Sequence, residues 1–98
     1  EFAQAAAGIS VALLAILVAP LCEEWLFRGL FFRGLRRQLR LCPALLLSAA
    51  FFALLHPPYA VLPVFVVGLC AGYALEAGRT LWAPIAIHML YNLVFFFA

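Results

Sequence analysis

Residues 2–22 are apolar but for Gln4 and Ser10, and the run ends directly in two carboxylates, Glu23 and Glu24. About 20 apolar residues is the length of one membrane crossing. No water in the hydrocarbon satisfies backbone N–H and C=O groups, so an open chain spans it only as helix. Three further apolar stretches follow: 41–55, broken by Ser48; 61–75, interrupted only by glycines; and 82–98, which carries His88 and Asn92. The expected fold is all-α, a polytopic bundle of about four transmembrane helices. The second stretch is too short for a full crossing, so one helix is expected to be short or broken within the membrane.

Composition supports this. Only 10% of the 98 residues are charged, and 69% are hydrophobic. Soluble domains carry about 25% charged residues, so there is too little polar surface to coat a water-facing globule. The chain reads as a multi-pass integral membrane protein whose partner is the lipid bilayer. Residues 1–98 form one domain. Because the sequence begins Glu-Phe rather than Met, it is expected to be the C-terminal part of a longer membrane protein. Cys22, Cys42 and Cys70 have no metal-type spacing and read as small buried hydrophobes.

The breaks between helices are legible. Pro43 sits where a first helical turn tolerates it. His56-Pro57-Pro58 ends the second helix, since residues before proline avoid the α region. Residues 76–80 form a polar turn in which Gly78 suits a helix C-terminus, and Pro84 opens the last helix. Pro20 is expected to kink the first helix just before the carboxylates. Gly68 and Gly72 make a GxxxG pair that lets another helix approach closely. Arg33, Arg36, Arg37 and Arg40 lie between the first two helices and Arg79 between the last two, whereas residues 56–60 have no Lys or Arg. By the positive-inside rule both Arg-bearing loops face the cytoplasm. A basic strip this short between spans anchors the interface, and nucleic acid is not an expected partner.

The polar groups left inside the apolar stretches are few. At 1.5 Å rise per residue, Glu23 lies roughly 15 Å before the Arg cluster, His56 about 20 Å beyond Pro43, and His88 about 9 Å beyond Trp82. Asn92 follows His88 by one turn. These depths fall in one band. Glu24 and Arg28 are four apart and share a helix face, which suits an ion pair. Glu23 points elsewhere and has no Arg or Lys three or four positions off on its own helix. The plain alternative for each histidine is a hydrogen-bonded core side chain. Intramembrane ionisable groups, however, generally face each other or a cavity, and Glu23, His56, His88 and Asn92 are expected to converge.

A desolvated carboxylate and an imidazole can activate water, while a second imidazole and an amide can donate to a developing oxyanion. The same Glu23, His56 and His88 set offers ligands for Zn2+ or another divalent metal with water in an open position. Either version is hydrolytic. No Asp is present for an aspartyl dyad, no HExxH occurs, and Ser10 and Ser48 lack a nucleophile context.

Three motifs stand in order: EExxxR at residues 23–28, FxxxH from Phe52 to His56, and HxxxN from His88 to Asn92. Together they resemble the CAAX protease and bacteriocin-processing family of intramembrane proteases, which includes the Ras-converting CAAX endopeptidase. The resemblance implies that Glu23 and His56 activate water, that His88 and Asn92 stabilise the oxyanion, and that Glu24 and Arg28 support the site. It implies a peptide or protein substrate, prenylated in eukaryotic members, and leaves metalloprotease and metal-free glutamate mechanisms both open. A non-catalytic immunity or scaffold protein of the same fold is the main alternative, and a proton-relay or transport module a third.

Overall fold

The computed structural model describes the backbone of residues 1–97 and the side chains of residues 1–95. Helix α1 runs unbroken over Phe2–Arg36, α2 over Leu41–Leu54, α3 over Val61–Gly78 and α4 over Trp82–Phe97. No strand occurs among the described residues. The all-α membrane bundle expected from the apolar stretches is the observed architecture. The expected end of the last helix, at Ala98, lies outside the described residues.

Two helical stretches, α1 and Pro58–Gly78, are long and apolar enough to cross a membrane; α2 and α4 are shorter apolar helices. At 1.5 Å per residue α1 is roughly 52 Å long, which matches the 53 Å longest dimension of the chain. Glu23 and the first arginines therefore belong to one continuous helix. From Phe2 to Val18 that helix contributes no buried side chain. Its packing begins at Pro20, and Glu24, Arg28 and Phe32 are the buried residues that follow.

Proline and carboxylates leave a mark on α1. The helix widens into π-helical turns over Leu14–Val18, just before Pro20, and again over Trp25–Phe32. A proline removes one i→i−4 hydrogen bond and its ring crowds the preceding turn. An i→i+5 turn is a known way for a helix to absorb such an insult, and it recurs at functional sites. The chain thus passes Pro20 as helix.

The α2–α3 pair packs most closely, and the two glycines explain it. A Cβ at Gly68 would stand 3.1 Å from the Ala49 Cα and 3.0 Å from an Arg28 Nη; at Gly72 it would meet Leu45 Cδ2 at 2.7 Å. The GxxxG spacing is thus a packing face for α2 on one side and Arg28 on the other. Two apolar clusters result. Phe52, Ala53, Ala60 and Val64 form one, and Phe32, Ala44 and Leu75 the other.

Two local expectations need correction. The left-handed residue ending α3 is Arg79, at φ 62°, and Gly78 is the last helical residue. The Arg79 N–H still closes the helix on the Leu75 carbonyl at 2.7 Å. The three cysteines are free and exposed on the outside of the bundle, not buried. In an apolar solvent a small polarizable side chain has no reason to turn inward, so apolarity alone did not identify the core.

Candidate active site

The site is built where α1, α2 and α4 meet. Glu24, four residues before Arg28, is completely buried, as Arg28 is, and its Oε1 lies 3.3 Å from Arg28 Nε. Its second oxygen accepts a 2.7 Å hydrogen bond from His88 Nδ1 on α4. One carboxylate therefore ties an arginine of its own helix to an imidazole of another. The short distance fits a charge-assisted bond, and it fixes how the His88 ring is turned. Such a carboxylate–imidazole pairing orients the ring.

Arg28 is an unusual neighbour. None of its guanidinium nitrogens has a hydrogen-bond partner among the described residues. It is held by the Glu24 charge and by the face of Phe52, whose centroid lies 4.4 Å from Cζ, a cation–π arrangement. Phe52 is itself the hub of the site. Its ring meets His56 edge-on at 4.9 Å and His88 at 5.4 Å between centroids. The FxxxH spacing placed Phe52 and His56 on one helix face, but nothing in the sequence said that Phe52 would touch Arg28 and both imidazoles.

His56 lies just past the end of α2, where the helix stops before Pro57. Its Nδ1 is 2.9 Å from the Phe52 carbonyl oxygen. A carbonyl only accepts, so Nδ1 carries the hydrogen and Nε2 of the neutral ring is left as the acceptor. Glu23, adjacent to the buried Glu24, faces differently: its side chain is 38% exposed, and its Oε1 lies 3.4 Å from His88 Nε2. The two nitrogens of His88 thus face two carboxylates, one at close hydrogen-bond range and one looser.

Asn92, one turn beyond His88, donates from Nδ2 to the Ala15 carbonyl at 2.9 Å. This contact was not legible in the sequence, because Ala15 offers only backbone. Glu23, His56, His88 and Asn92 all line one cavity of about 340 Å³, whose remaining wall is largely apolar, with Tyr59, Val64 and Tyr91. Of the expected site residues, four line this cavity, and Glu24 and Arg28 are buried and do not line it.

The ligand geometry for a metal is a separate matter. Among the described residues no group of three or more His, Cys, Asp and Glu side chains is arranged to hold a metal ion. His88 has both nitrogens directed at carboxylates and His56 has one spent on its own helix, so the Glu23, His56 and His88 set does not come together as a three-ligand centre.

Comparison with family models decides the kinship. Residues 5–94 match the model of the Rce1-like, type II CAAX prenyl endopeptidases. The chain belongs to that family. The match spans all three motifs and all four helices. Comparison with curated proteins and with solved structures finds no match. As a member of the Rce1-like family, and with apolar helices of crossing length, the chain is an integral membrane protein of protease type.

Proposed function

We propose that this Rce1-like chain is an intramembrane endopeptidase that hydrolyses a peptide bond with water activated by Glu23 and His56. What carries the reading is the shared wall: residues from α1, from the end of α2 and from α4 border one largely apolar cavity. The Glu23 carboxylate, partly exposed to that cavity, takes a proton from water as the water oxygen attacks the scissile carbonyl. His56 accepts a hydrogen bond from the same water at Nε2 and holds its lone pair on the carbonyl carbon. The oxyanion is met by the Asn92 amide and by Nε2–H of a protonated His88, whose charge Glu24 balances from the other side. The proton held on Glu23 then passes to the departing amine.

The proposed substrate is a peptide or protein segment, with a prenylated C-terminus or a bacteriocin precursor as the candidate classes. No step needs a metal, and chelators are expected to leave cleavage intact; abolition by chelation with recovery on adding zinc would refute that. The proposed topology is multi-pass with both Arg-bearing loops cytoplasmic.

The test is peptide cleavage by the full-length protein in detergent. Glu23→Gln and His56→Ala are each expected to lower kcat roughly 10²–10⁴-fold, the usual range for removing a general acid–base group. Their helical circular dichroism should stay unchanged. Cleavage that survives either change refutes these roles. Protection against a peptide toxin that persists in Glu23→Gln would favour a non-catalytic immunity protein.

A further inference from the structure

The contact between Asn92 and Ala15 has a cause in the sequence five residues further on. In an α-helix the Ala15 carbonyl would accept from the N–H of residue 19; in a π-helical turn it would accept from residue 20. Here the Ala19 N–H is given to the Leu14 carbonyl, and residue 20 is proline, which has no N–H. Both helical donors are thus withheld, and Ala15 keeps a carbonyl that something else must satisfy. Buried carbonyls are nearly always paired, and here the donor is the carboxamide of Asn92 on α4. A carbonyl accepts only, so the assignment of Nδ2 to this contact follows from chemistry alone.

We propose that Pro20 is a positioning residue for Asn92. By denying Ala15 a backbone donor, it obliges one N–H of the Asn92 carboxamide to dock on α1 and directs the second N–H to the cavity. Ala15 and Asn92 both line that cavity, so the docked amide lies at its edge. This deepens the proposed function and rests on it in one respect, the role of Asn92 as an oxyanion donor. An untethered carboxamide rotates about its last bond and presents donor or acceptor alike; one tethered through one N–H holds its second N–H in a fixed direction. The effect belongs in the transition state, where preorganised donors act, and so in kcat more than in KM.

The test uses the full chain in detergent. Asn92 is the sole asparagine among these 98 residues, so in [15N]asparagine-labelled protein its side-chain signals are assigned by their loss in Asn92→Ala. In the wild type one of its two side-chain N–H signals should exchange slowly with solvent and the other fast. In Pro20→Ala, which restores a backbone N–H, the pair should move toward free carboxamide values and both should exchange fast. Pro20→Ser should do the same. Alanine in place of proline favours helix, which offsets packing lost at the buried Pro20, and the helical circular dichroism should stay unchanged. With a cleaved peptide, Asn92→Ala should lower kcat about 100-fold. Pro20→Ala should lower it about tenfold or more at unchanged KM, and the double variant should be no worse than Asn92→Ala. Fast exchange of both wild-type signals overturns the proposal without any variant. So do unchanged signals in Pro20→Ala, or losses that multiply in the double variant. If the wild type cleaves no peptide, the functional reading fails, and the amide signals alone uphold or overturn the docking.

Discussion

Glu24→Gln isolates the charge at the centre of the site. The amide keeps the shape of the carboxylate and can still accept from His88 Nδ1, which now stands 2.7 Å from Glu24. What it removes is, among the described residues, the only opposite charge within ion-pair distance of Arg28, at 3.3 Å. Arg28 is fully buried and has no hydrogen-bond partner in reserve among the described residues; the Phe52 face at 4.4 Å supplies on the order of 2 kcal/mol. Removing one partner of a buried pair costs about 3–5 kcal/mol, because it leaves a charge desolvated and unbalanced. Glu24→Gln is therefore expected to lose about 3 kcal/mol or more of unfolding free energy. Arg28→Met alone should lose less, because His88 Nδ1 still donates to the carboxylate at 2.7 Å. The double variant should recover much of the loss, with a coupling energy of about 2–3 kcal/mol. The assay is reversible unfolding in mixed micelles followed by circular dichroism, with each variant measured against the wild type. A loss below about 1 kcal/mol for Glu24→Gln, or losses that simply add in the double variant, would refute the view that Arg28 depends on this carboxylate.

The two glycines of α3 are expected to respond differently to alanine. At Gly68 the new Cβ meets the Ala49 backbone and the Arg28 guanidinium, neither of which can step aside, and overpacking of that kind costs about 1–3 kcal/mol. At Gly72 it meets the end of the Leu45 side chain, which can change rotamer; the gain of up to about 1 kcal/mol from replacing glycine in a helix should leave Gly72→Ala near neutral. Unfolding measurements that rank Gly72→Ala as the more damaging would contradict the packing described here.

The Arg36–Glu76 fork, with both bonds at 2.9 Å, shows where sequence reasoning stops short of a pairing. Each residue was legible as a polar group at a helix end, but with 40 positions separating them in sequence nothing hinted that they meet. Exposed pairs of this sort contribute little to stability, so no strong sequence signal was to be expected.

The sequence by itself determined the class of fold and named the polar residues that border the cavity. Apolar runs of crossing length leave helix as the answer, and the few polar groups within them are too costly in lipid to be scattered. The i,i+4 spacings likewise paired Glu24 with Arg28, and His88 with Asn92, on common faces. Only the tertiary structure decided who answers whom across helices: Glu24 bonds His88, Phe52 touches Arg28 and both imidazoles, and Asn92 reaches the Ala15 carbonyl. It also decided that the cysteines face outward. The physical reason is that spacing along a helix fixes direction around its axis, whereas contacts between helices depend on how far each is shifted and turned. Here that was set by two glycines, a proline and two widened turns acting together.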